Sequence, residues 1–141
     1  MAFHRSLARL LSLRQSLERQ EEMRLALIAG RLASARAALE AAHMQMREFS
    51  SGRLTGAEGT CGAELQAAAL RQTSLAEHLP RLRGNIDELA AAHHAQCLRL
   101  TERQQARKIL ETLRDRRAAA QRLKEHRREQ ATLDELFLLR R

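Results

Sequence analysis

The stretch LALIAGRLASARAALEAAHMQMREF, residues 25–49, decides the fold. Within it Leu25, Ile28, Leu32, Ala35, Leu39, Ala42, Met46 and Phe49 stand 3, 4, 3, 4, 3, 4 and 3 residues apart. A helix turns once in about 3.6 residues, so this spacing lays apolar side chains along one stripe and winds the helix against a partner. Upstream, Phe3, Leu7, Leu10, Leu11, Leu13 and Leu17 form a broader stripe. Between the two lies ERQEE, residues 18–22, which offers nothing to a dry seam. The expectation is one helix over about 3–49, its packing interrupted or shifted in phase at that polar stretch.

Residues 50–62, SSGRLTGAEGTCG, then hold four of the six glycines. Glycine lowers helix propensity and permits the positive φ angles of a reversal, so a bend is expected over about 50–63. The order G-x-x-x-x-G-K-[ST] is absent and no apolar strand precedes it, so the cluster is not a phosphate cradle. A second seam follows at Leu75, Leu79, Leu82, Ile86 and Leu89. Its register continues through His93, Gln96, Leu100, Arg103, Arg107, Leu110, Arg114 and Arg117, becoming wet and positive. Pro80 and Gly84 predict a kink, or a new helix with Pro80 in its first turn. Acid–base pairs such as Glu111 with Arg114 and Glu125 with Arg128 are expected to support the anchor-poor remainder.

The fold class is therefore all-α: two long helices in an antiparallel coiled-coil hairpin, possible kink at Pro80 included, with 1–141 as a single unit and helix 2 over about 64–139. At 1.5 Å per residue the helices would be roughly 70 and 110 Å long, so the second should overhang the first near the termini. Composition agrees. Of 141 residues 44% are hydrophobic, three are Phe and none is Trp or Tyr, which argues against a sandwich, barrel or doubly wound sheet.

The net charge of +8 is uneven: +3 over residues 1–50, zero over 51–100 and +5 over 101–141. A basic surface attracts anionic partners without saying which, and nucleic acid, an acidic protein and an anionic membrane all stay open on charge alone. No apolar run approaches the roughly 18–20 residues of a transmembrane helix. The acid-free, Arg-containing start resembles a transit peptide only superficially, because the helical pattern runs on past it. Two cysteines are too few for a disulfide framework, and a reducing cytoplasm is the expectation.

Most chemistry is excluded by pattern. His93, His94 and Cys97 share a helix, but zinc takes about four ligands and the other thiol, Cys61, lies in the bend. A two-helix fold supplies no concave pocket for a nucleophile and base, and the pairs Glu21/Glu22 and Asp134/Glu135 should be solvated, so no catalytic residue, cofactor or metal is expected. Nucleic acid deserves weighing: residues 103–128 hold ten Lys and Arg together with His126. Interleaved acids dilute that field and no aromatic platform is present, so no nucleic-acid partner is expected.

The run KILETLRDRRAAAQRLKEHRREQATLDEL, residues 108–136, resembles the end of the flagellar export protein FliJ family, related to the YscO-type stalk proteins of virulence secretion. The recurring elements are Leu110, Leu113, Asp115-Arg116, Glu125, Arg127, Gln130 and Asp134-Glu135, with Phe3, Leu7, Leu10 and Leu13 near the start. The resemblance implies a non-enzymatic, cytoplasmic stalk of bacterial type III export, peripheral to the inner membrane, whose paired ends enter the hexameric export ATPase. It implies a ring-binding set of Leu7, Leu10, Leu11, Leu13, Arg114, Arg116, Arg117, Arg127 and Arg128. It further implies that the cytoplasmic linker of the membrane export-gate protein meets Ala42, Gln45, Phe49, His78, Leu82, Asn85 and Leu89, and that export chaperones can be engaged. A virulence-type stalk and a generic coiled-coil scaffold, paired between chains, remain the alternatives.

Overall fold

A computed structural model describes residues 2–51 and 61–140, with side chains from Arg5 onward. The glycine bend proposed at 50–63 lies mostly outside the described residues, as does the side chain of Phe3. Two helices make up the fold, α1 (Ala2–Ser51) and α2 (Gly62–Leu139), packed against each other as an antiparallel hairpin with no strand among the described residues. The α1 end turns its own hydroxyls inward: Ser50 and Ser51 Oγ donate to the Arg47 carbonyl at 2.9 and 2.7 Å. At the start of α2 the Cys61 carbonyl accepts the N–H groups of Glu64 and Leu65 at 3.0 and 3.3 Å. Glu64 in that first turn complements the positive end of the helix dipole.

By contact the chain divides into two compact units. Unit 2, Glu21–Leu98, pairs the larger part of α1 with the beginning of α2. Its direction is set by contacts: Glu21 meets Gln96, and His43 Nε2 lies 3.4 Å from Arg83 Nη2, so rising numbers on α1 meet falling numbers on α2. Leu32, Ala35, Ala42 and Leu79 are buried, with Leu25, Ile28, Leu39, Met46, Phe49, Leu75, Leu82, Ile86 and Leu89 half-exposed or better covered around them. Unit 1, Met1–Gln20 with Arg99–Arg141, pairs the start of α1 with the later part of α2. Leu7 and Leu11 are its buried apolar residues.

The polar stretch does not break the seam. Positions 7, 11, 14, 18, 21, 25, 28, 32, 35, 39, 42, 46 and 49 all lose solvent, an unbroken alternation of four and three. Glu18 and Glu21 therefore occupy seam positions, each only 7% exposed, and the expected phase shift at residues 18–22 is absent. Each carboxylate finds a donor on α2, which lets a charged residue keep the register (the partners are described below).

Helix α2 also runs unbroken through Pro80, so the alternative of a helix beginning there does not hold. Proline forfeits one backbone hydrogen bond and crowds the preceding turn. Burial of Leu79 immediately before it, and of Leu82 in part, holds the helix together at that point. Two expected ion pairs take other partners. Glu111 bonds Arg107 rather than Arg114, Arg114 bonds Asp115 at 2.9 Å, and Glu125 accepts from Gln121 at 2.9 Å. Residues 119–140 are exposed throughout, the anchor-poor part of α2.

Candidate functional site

Unit 1 contains 17 Lys and Arg against eight Asp and Glu, a net of +9, while unit 2 has eight against nine. The net positive charge of the protein thus resides where the start of α1 pairs with the later part of α2. Unit 1 is anchored by Arg107, whose side chain is 24% exposed. Its Nε donates to Glu18 Oε2 at 2.5 Å, its Nη2 reaches Glu18 Oε1 at 3.4 Å, and its Nη1 donates to Glu111 Oε1 at 2.6 Å. The guanidinium is held still more firmly protonated than usual, first by the Glu18 hydrogen bond and then by that of Glu111, with partial desolvation opposing. A base whose pKa rises on folding adds stability below its unfolded pKa and loses it only as pH climbs through the folded value. That window lies in strong alkali, so this contact is constant across neutral pH.

In unit 2 the corresponding polar layer is Glu21 with Gln96, the latter 3% exposed. Gln96 Nε2 donates both to the Glu21 carboxylate and, at 3.2 Å, to the Glu21 backbone carbonyl. Arg24 closes the other side at 3.0 Å. Removing one donor from a buried carboxylate that keeps another costs on the order of 1 kcal/mol. Gln96→Leu should therefore lower the unfolding free energy measured in urea by that order, and Glu21→Leu combined with it should restore most of the loss, as apolar replacement of both partners often does. An unrepaired double variant in circular dichroism melts would contradict this account.

The residues expected to meet the ring separate into two groups. Leu7 and Leu11 are 4% and 6% exposed and serve the seam, whereas Leu10 and Leu13 are 47% and 56% exposed. Arg114 borders a small cleft with Leu7 and Leu11, which joins the start of α1 to the later part of α2. Arg116, Arg117, Arg127 and Arg128 are exposed along α2. The residues expected to meet the export gate divide in the same way. Ala42 is buried, Phe49, Leu82 and Leu89 are half-buried, and Gln45, His78 and Asn85 are exposed. Gln45 and Phe49 line a cleft of about 810 Å³ with Glu48, Arg71 and Leu75.

His93 Nδ1 and Cys97 Sγ lie 3.8 Å apart on α2, and among the described residues no group of three or more His, Cys, Asp or Glu could hold a metal. No helix of the described residues is long and apolar enough to cross a membrane. Glu18 and Glu21 are the seam residues that apolar periodicity passes over, whereas Gln96 and Arg107 lie on the register expected for the second seam. The signal was present in the numbering, since 18 and 21 fall on the alternation of four and three that joins Leu11 to Leu25.

Two antiparallel helices, a thin seam with polar layers and a strongly basic unit 1 define a coiled-coil protein. The family model described as flagellar FliJ protein matches residues 3–141. The chain belongs to that family, and is a flagellar export-related coiled-coil protein. No curated protein and no solved structure matches it.

Proposed function

We propose that this protein is a non-enzymatic, stalk-like component of bacterial flagellar type III export, acting in the cytoplasm at the inner-membrane export apparatus. Unit 1 binds the hexameric export ATPase, and the exposed edge of unit 2 around Gln45, His78 and Asn85 meets the cytoplasmic linker of the export-gate protein. Export chaperones are further partners. The observation that carries this reading is the pairing of the start of α1 with the later part of α2 in one unit of net charge +9. Such a field speeds encounter with an acidic ring lining and orients the approaching end.

Leu10 and Leu13, together with Arg116, Arg117, Arg127 and Arg128, are the accessible members of the ring-binding set. Leu7 and Leu11 contribute by holding α1 against α2, and Arg114 by its place beside them. On the gate side Phe49, Leu82 and Leu89 support the edge from the seam while the polar trio contacts the partner. Co-purification with the cognate ATPase and measurement of ATP hydrolysis at low salt test the assignment. Binding with stimulated hydrolysis is expected, and neither binding nor stimulation would remove it.

A further inference from the structure

Beyond the seam, unit 1 carries a second apolar surface. The Glu18–Arg107 contact fixes which residues of α1 and α2 face one another. In an antiparallel pair the local two-fold axis is normal to the plane of the helices, so positions just before a contacting pair turn to the same side. Leu17 and Ala106 are those positions, and one heptad outward come Leu10 and Leu113. Leu13 and Ile109 lie one step further round the same side of each helix. Leu10, Leu13, Ile109 and Leu113 are 47, 56, 68 and 38% exposed, and Leu17 and Ala106 are half-buried.

Leu10, Leu13 and Leu17 on α1 and Ala106, Ile109 and Leu113 on α2 thus set two apolar stripes side by side, flanking the groove that any two packed helices leave between them. A third helix fits there, because its own stripe at i, i+3, i+4 and i+7 fills the groove between two neighbours. Arg9, Arg99 and Arg116 lie along the borders of this side, against Glu102. We propose that this face of unit 1 docks an amphipathic partner helix whose apolar stripe is flanked by acidic residues. A second copy of the chain is the poorer occupant, since its arginines would confront these arginines in a unit already at +9. Leu10, Leu13 and Arg116 also stand in the proposed ring-binding set, so this helix and the ring would compete for the face; the peptide titration decides this assignment and the ATPase assay decides the export reading.

The test uses the full-length protein and a fluorescent synthetic helix of about three heptads, with leucine on its stripe and glutamate on both flanks. Anisotropy titration at low salt should show saturable binding, and a version flanked by lysine should bind about tenfold more weakly or worse. Ile109→Glu with Leu113→Glu should weaken the acidic peptide by about tenfold or more at unchanged helical circular dichroism. If that pair disturbs the fold, Leu13→Glu on the other helix makes the same test. Absence of binding, equal affinity for both peptides, or undiminished binding by these variants would overturn the proposal. So would a dimer in sedimentation that Ile109→Glu and Leu113→Glu dissociate, or preference for anionic phospholipid vesicles over the peptide.

Discussion

Leu32→Ala should destabilise the protein by about 2–5 kcal/mol, the usual range for a buried leucine truncated to alanine. Leu32 is 7% exposed in unit 2, and its fellow buried residues there include the small Ala35 and Ala42. No large side chain among the described residues is completely covered, so the seam is one layer thick. A thin core supplies little net stability, and total folding free energies are commonly only about 5–15 kcal/mol even for compact domains. One leucine is therefore a substantial share of the total here. Urea unfolding followed by helical circular dichroism measures the loss. Leu27→Ala is the matched control, because Leu27 is 59% exposed on the same helix and its truncation should cost no more than about 0.5 kcal/mol. Equal losses at the two positions would mean that the seam is wrongly placed.

That contrast also shows how far the sequence carried the fold. Residues 25–49 are legible because apolar side chains alone trace the stripe, and Leu32, Ala35 and Ala42 are buried as the spacing requires. Residues 18–22 are misleading for a physical reason: apolar periodicity treats Glu18 and Glu21 as gaps, whereas a seam only one layer deep accepts a carboxylate once α2 supplies Arg107 or Gln96 opposite it. The donor could be found only by knowing the pairing of the helices, which local pattern does not contain. Buried polar layers of this kind penalise other registers, since sliding either helix would strand the carboxylate without its donor.

The residues expected to meet partners were less legible than the fold. Leu7, Leu10, Leu11 and Leu13 look alike in one short stretch, yet two lie in the seam and two face solvent. Helical phase separates them, but only after α2 defines which side is inward. Ala42 shows the same ambiguity on the gate side, being buried where a contact was expected. The arginines of α2 are different, because charge is additive and needs no register to be counted.

Replacing Arg114, Arg116, Arg117, Arg127 and Arg128 together by glutamine should slow association with the export ATPase about tenfold to a hundredfold at low ionic strength. These changes take unit 1 from +9 to +4. All five side chains are exposed, so helicity and melting should change little. Steering acts through solvent and fades beyond a Debye length of about 10 Å at 0.1 M salt. The wild-type and variant rates should therefore converge as salt rises, with dissociation affected less than association. Arg31, Arg36, Arg71 and Arg81 in unit 2 are also exposed, and their replacement by glutamine should leave the association rate near wild type. Stopped-flow binding across a salt series distinguishes the cases. An equal effect from both sets would assign the attraction to net charge alone, whereas loss confined to the first set places it in unit 1, where the ring-binding reading requires it.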